Sequence, residues 1–338
     1  METNRALPIV MTALAIAHVA ACATGAHAPT AAPRTPTFDF AAPDGTRVFV
    51  RRWADVQGTP KGVVQIAHGA AEHSGRYDRF ARALNASGYV VYANDHRGHG
   101  KTLVRSMKLG DGGPDAWNHY VEDERQLTLL IRDENPGLPV VFFGHSMGSF
   151  IAQDYAARYG KAADGVVLCG TSGVFNDADP VVAVLDQAAQ ADPLGPSKIF
   201  GQIFASFNEP FNPGRPGFDW LSRDPAEVQK YTSDPLNGFA FNNELARDFL
   251  KGLRDLFRPD REARIPKDLP ILVIAGDQDP VGGNTKAILP LLERYKGYGL
   301  TRVTVKFYPG ARHELLNETN RDEVQADVVA WLDSLRAR

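Results

Sequence analysis

From Phe38 onward the chain alternates short, nearly continuous apolar runs with longer stretches whose apolar residues recur at helical spacing. The runs Val63 to Ala67, Tyr89 to Ala93, Val140 to Phe143, Val166 to Leu168, Ile271 to Ala275 and Val303 to Phe307 predict strands. Ahead of them, Phe38 to Phe40 and Val48 to Trp53 flank the turn pair Asp44-Gly45 and predict an opening hairpin. Helical spacing covers Tyr77 to Ala86, Val121 to Arg132, Phe150 to Tyr159, Ala287 to Tyr295 and Val324 to Leu335. This alternation predicts an α/β fold, a mostly parallel sheet flanked by helices.

The rhythm breaks between about 175 and 258, where prolines and glycines interrupt short helix-like pieces. Ten of the eighteen phenylalanines fall there, so the stretch reads as a cap inserted over the carboxyl edge of the sheet. Its aromatic residues either line an apolar tunnel or pack the cap on itself. Residues 38–338 therefore read as one domain carrying a cap insertion at about 175–258.

The first 37 residues read differently. Arg5 precedes the apolar run Leu7 to Ala21, which is short for a bilayer span and predicts a signal peptide over residues 1–21. The run ends in Val19-Ala20-Ala21-Cys22, which resembles a bacterial lipobox, with Cys22 as the lipidated residue. Residues 22–37, rich in Ala, Pro and Thr, predict a flexible tether. The expected location is the bacterial cell envelope, as a lipid-anchored protein in contact with the membrane. The alternative is a periplasmic or secreted protein with an ordinary cleaved signal.

Composition narrows the field. A net charge of −3 over 338 residues leaves no basic excess for a phosphate backbone, so no nucleic-acid partner is expected. Only Cys22 and Cys169 are present, which rules out a disulfide framework; Cys169 ends an apolar run and reads as a small buried residue. Nothing in the sequence specifies an oligomeric state.

The strongest chemical signal is Gly144-His145-Ser146-Met147-Gly148, a GxSxG pentapeptide between a strand-like run and a helix-like stretch. That context makes Ser146 the nucleophile of a strand-turn-helix elbow, its hydroxyl lifted toward a helix N-terminus whose free N–H groups can hold an oxyanion. Serine needs a base, and the base needs an orienting carboxylate. His313 is the only histidine after the pentapeptide and follows the run Val303 to Phe307, so it is the base. Asp277 and Asp279 both follow Ile271 to Ala275 and compete for the carboxylate role. All three positions lie past carboxyl ends of strands, where open α/β sheets bind ligands.

His68-Gly69-Ala70-Ala71-Glu72-His73-Ser74-Gly75-Arg76-Tyr77 resembles the HGxGEHSxRY motif of the monoacylglycerol lipase, lysophospholipase and serine-aminopeptidase-like hydrolases. Asp95 to Gly100 (DHRGHG), Asp234-Pro235-Leu236 and Tyr308 to Glu318 (YPGARHELLNE) extend the resemblance over nearly the whole chain after Phe38. It implies an α/β-hydrolase fold. It also implies Asp279, which precedes Pro280-Val281, as the carboxylate, leaving Asp277 as a loop-capping residue. The implied oxyanion donors are the backbone N–H groups of Ala70 and Met147, with His68 a structural hydrogen-bonding residue. Two departures stand out: Ala71 where the family often has Gly, expected to narrow the loop slightly, and Lys101-Thr102 where a Ser commonly ends the motif.

Other chemistries fit poorly. Gly100-Lys101-Thr102 lacks the P-loop glycine, since Asp95 stands in its place. His96 and His99 have no third ligand at metal spacing, and Asn317 breaks an HExxH pattern at His313-Glu314, so no metal and no cofactor is expected. The expected activity is cofactor-free hydrolysis of carboxylic esters of lipid-like acyl groups through an acyl-enzyme. A lysophospholipase, thioesterase or peptidase using the same residues is the alternative. A non-catalytic surface lipoprotein would be expected to lack one of them.

Overall fold

The computed structural model describes residues 36–173, 178–214 and 217–336; Cys22 and the expected signal and tether lie outside the described residues. Eight strands form one sheet: β1 (Thr37–Ala41), β2 (Arg47–Trp53), β3 (Gly62–Ala67), β4 (Tyr89–Asn94), β5 (Val140–His145), β6 (Gly165–Cys169), β7 (Ile271–Gly276) and β8 (Val303–Tyr308). Their order is β1-β2-β4-β3-β5-β6-β7-β8. β1 and β2 pair antiparallel, as do β2 and β4, and every later pairing is parallel.

Alternation along the central strands divides their side chains between two cores. Phe142, Val166, Leu168, Ile271 and Val273 point to one face, Val141, Phe143, Val167, Leu272 and Ile274 to the other. Helices α1 (Asp78–Ala86), α2 (Ala116–Glu134) and α3 (Met147–Tyr159) join the framework strands, and α4 (Ala178–Ala191), α5 (Lys198–Ser206), α6 (Pro225–Ser233), α7 (Asn243–Leu256) and the short α8 (Pro259–Glu262) occupy the β6–β7 connection. α9 (Ile288–Gly297) and α10 (Arg321–Ser334) complete the chain. α2, α3 and α9 cover the first core through Trp117, Tyr155 and Tyr295; α1 and α10 cover the second through Phe80, Leu84, Val324 and Val328.

This topology gathers the chemistry at one edge. β3 and β5 are parallel neighbours with Ala67 opposite Gly144, so the His68–Ala71 loop and the Ser146 turn leave the sheet side by side. β7 and β8 pair up to Gly276 and Tyr308, which sets the Asp277–Asp279 and Arg312–His313 loops next to each other at the same end.

Candidate active site

Ser146 sits between β5 and α3 with φ 52° and ψ −120°, a conformation L-residues rarely adopt. The strain is locked in by contacts that only glycine permits on either side. A Cβ on Gly144 would meet the Gly148 carbonyl oxygen at 2.2 Å, and one on Gly148 would meet the Ala67 oxygen at 2.1 Å. The Ser146 N–H donates to Cys169 O at 2.9 Å and the Ser149 hydroxyl to Ser146 O at 2.6 Å. Met147 opens α3, so its N–H has no intrahelical acceptor. Ala70, Ser146 and Met147 all line a cavity of about 200 Å³.

His313 and Asp279 are both fully buried, and His313 Nδ1 lies 2.9 Å from each Asp279 carboxylate oxygen. Asp279 Oδ1 also accepts the Val281 N–H at 2.9 Å. His313 Nε2 has no hydrogen-bond partner among the described residues, leaving it open to a rotating hydroxyl. Its ring stands 4.9 Å from that of His145, the residue before Ser146, and 4.9 Å from Trp220, which also lines the cavity. Asp277 does something else: its Oδ1 accepts the Gly310 N–H at 2.7 Å and clips the two loops together.

The HGAAEHSGRY segment binds the two halves of the site. Glu72 Oε1 accepts the Gly69 N–H at 2.5 Å and the Tyr77 hydroxyl at 2.8 Å, and Glu72 Oε2 accepts from Arg76 at 2.5 Å. Arg76 in turn donates to both oxygens of Glu314, the residue after His313, at 2.6 and 2.7 Å. Burial opposes ionisation of Glu72, but the Arg76 guanidinium, with His145 and the Gly69 N–H, holds its carboxyl down at about 2. Burial followed by the nearby His313 lowers His145 to about 4, so it stays neutral beside this cluster. Glu72, Arg76 and Glu314 stand in the HGAAEHSGRY and YPGARHELLNE motifs, where the sequence assigns them no role. Their i,i+4 Glu–Arg spacing was a visible signal, but nothing local pointed to a partner 238 residues away.

His68 is structural, with Nδ1 2.7 Å from Gly69 O and Nε2 accepting the His96 N–H at 3.0 Å. His96 and His99 pack with it around Tyr120. Thr102 takes over a hydroxyl role at the motif's end, its buried Oγ1 accepting the Phe49 N–H at 3.0 Å. Ala71 holds φ 53°, which glycine reaches freely and alanine reaches at a cost of about 1–2 kcal/mol.

The aromatic residues of the β6–β7 connection divide. Phe200, Phe204, Phe207, Phe249 and Phe257 line the cavity with Trp220, Phe150 and Leu253. Phe239 and Phe241 pack against His99, Phe218 against Tyr231, and Phe211 under Arg312. Among the described residues no cluster of three or more His, Cys, Asp or Glu could hold a metal ion.

Residues 58–320 match the family described as serine aminopeptidase, S33. A monoacylglycerol lipase from Mycolicibacterium smegmatis is 34% identical over 87% of this chain and 96% of its own length. The human monoglyceride lipase is 33% identical over 81% of this chain and 82% of its own. Among solved structures, a thermostable carboxyl esterase from Bacillus coagulans in complex with glycerol superposes with a TM-score of 0.80 at 34% identity, covering 88% of this chain and 98% of that one. The chain belongs to the serine aminopeptidase S33 family of α/β-hydrolases, and it is a serine hydrolase of carboxylic esters.

Proposed function

We propose that this esterase cleaves monoacylglycerol-like esters, with Ser146 as nucleophile, His313 as base, Asp279 as the orienting carboxylate and the Ala70 and Met147 N–H groups as oxyanion donors. The observation that carries the reading is the position of Ser146, on a strained elbow among the residues lining a mostly apolar cavity to which six Phe side chains contribute. Asp279 accepts the Nδ1 proton of His313, leaving Nε2 unprotonated to take the Ser146 proton as Oγ attacks the ester carbonyl. The two N–H groups hold the negative charge that develops on the carbonyl oxygen. Imidazolium then protonates the departing alcohol, and water, deprotonated by the same His313, releases the acid.

The cavity favours an acyl chain because burying apolar carbon against Phe200, Phe249 and Leu253 is worth about 25 cal/mol per Å². The β6–β7 connection acts as the cap in this reading. A panel of para-nitrophenyl esters of increasing chain length, run beside monoacylglycerol and lysophospholipid, tests it. Turnover is expected to favour acyl chains over acetate and monoacylglycerol over lysophospholipid. Preference for acetate, or for the phospholipid, would overturn the assignment.

On sequence grounds alone we also propose removal of residues 1–21 and lipidation of Cys22, which would tether the enzyme at a bacterial envelope membrane. Acyl anchoring grows by about 0.8 kcal/mol per buried CH₂. Cys22→Ser is expected to move active enzyme into the soluble fraction. An intact mass showing a mature N-terminus elsewhere would leave a periplasmic or secreted enzyme instead.

A further inference from the structure

The backbone oxygen of Ala71 is held from outside its own loop. The Tyr231 hydroxyl, from the last turn of α6, donates to it at 3.0 Å, and the Gly238 N–H donates at 2.8 Å. Tyr231 is 4% exposed and its ring lies under the Arg76 guanidinium at 4.7 Å. Nearby, Asp234 pairs with His73 Nε2 at 2.9 Å, so the segment from Tyr231 to Gly238 is fastened along the loop.

The loop this clasp meets is short and closed. Glu72 accepts the Gly69 N–H at 2.5 Å, which ties Gly69 to Glu72 with Ala70 and Ala71 between them. Within such a closed ring a change in the φ of Ala71 must be taken up by the other dihedrals between Gly69 and Glu72, and these also set the 69–70 peptide that carries the Ala70 N–H. Ala71 is also the strained member, with φ 53° in a residue that bears a Cβ. Two hydrogen bonds from the β6–β7 connection therefore converge on the one carbonyl best placed to stop that relaxation.

We propose that Tyr231 is a positioning residue for the oxyanion hole: its hydroxyl, acting through Ala71, keeps the Ala70 N–H aimed at the reacting carbonyl. This rests on the proposed reading of the site, with Ser146 as nucleophile and Ala70 as an oxyanion donor. It makes competence of the donor conditional on the 231–238 segment being docked, so the part of the chain that shapes the apolar cavity also sets the transition-state contact.

The test is a double-mutant cycle on kcat and KM with para-nitrophenyl butyrate, using the full chain. Tyr231→Phe keeps the ring under the Arg76 guanidinium and removes one oxygen. It is expected to lower kcat about 5- to 30-fold, within the roughly 10²- to 10³-fold ceiling for losing one oxyanion donor, with KM nearly unchanged because the contact is made in the transition state. In the Ala71→Gly background the same substitution is expected to cost less than about threefold, since glycine holds positive φ without help. Hydrogen exchange of the 68–73 peptide should quicken in Tyr231→Phe and less so in the double variant. Retained kcat in Tyr231→Phe overturns the proposal, as does an equal loss in both backgrounds or a loss confined to KM. Failure of the underlying reading shows separately, as hydrolysis that survives Ser146→Ala.

Discussion

Replacing Glu72 by Gln probes the join between the two halves of the site. The substitution keeps shape but turns one acceptor oxygen into a donor amide. That amide must face either the Gly69 N–H and Tyr77 hydroxyl or the Arg76 guanidinium, all of them donors. Two routes give the size of the loss. Holding the carboxyl at about 2 rather than its ordinary 4.5, at about 1.4 kcal/mol per pKa unit, is worth about 3 kcal/mol. Removing one partner of a buried ion pair costs about 3–5 kcal/mol, and Arg76 keeps Glu314, which favours the lower end. With an unfolding entropy of about 2.1 cal/mol/K per residue over roughly 300 ordered residues, each kcal/mol is worth about 1.6 °C, so the melting temperature should fall by roughly 5 °C near pH 7. Because the folded pKa is depressed, this stability is present above pH 4.5 and disappears as pH falls through about 2. Calorimetry of wild type and Glu72→Gln across pH 3 to 8 should therefore show curves that converge toward acid. Kinetics on the same samples should show kcat reduced more than KM, since Gly69 precedes the Ala70 donor. Equal melting temperatures at pH 7, or a gap that widens toward acid, would refute the reasoning.

Two further predictions follow from buried carboxyls. Asp279→Asn should cut kcat by orders of magnitude through loss of imidazolium stabilisation and the wrong tautomer, while Asp277→Asn, which loses a loop clip, should cost far less; reversal of the two would reassign the acid. Burial raises Glu124 to about 8, so its stabilising proton is fully retained below pH 4.5 and lost as pH rises through 8. Glu124→Gln should flatten the decline in melting temperature between pH 5 and 9, and an unchanged slope would contradict it.

What the sequence displayed and what it hid have physical causes. β3 to β7 were legible because strands buried on both faces are written as apolar runs. The more exposed β1 and β2 were marked by the turn pair Asp44-Gly45 between them, and β8 by its Val-Thr-Val-Lys-Phe alternation. The start of α2 was not. It begins at Ala116, five residues before the expected Val121, because the Asp248 carboxylate on α7 accepts the Ala116 N–H at 3.0 Å, a cap supplied from 132 residues away. Ser146 and His313 could be read from spacing, since strand ends fix where such side chains emerge. Asp277 and Asp279 could not be told apart that way, as both stand in one loop and only the fold turns one toward His313 and the other toward Gly310. Nor could the phenylalanines be sorted, because wall and core differ only in where the fold sets each ring against the cavity: Phe249 on α7 lines it, and Phe241, just ahead of that helix, lies behind with its ring stacked 4.3 Å from that of Phe200.

The central claim is that Ser146 carries the reaction, and covalent labelling tests it most directly. A fluorophosphonate probe followed by peptide mass analysis should place the adduct on Ser146, and Ser146→Ala should lose both the label and ester hydrolysis by at least ~10³-fold while remaining folded. An adduct on another residue, or folded Ser146→Ala that still hydrolyses esters at a comparable rate, would contradict the account.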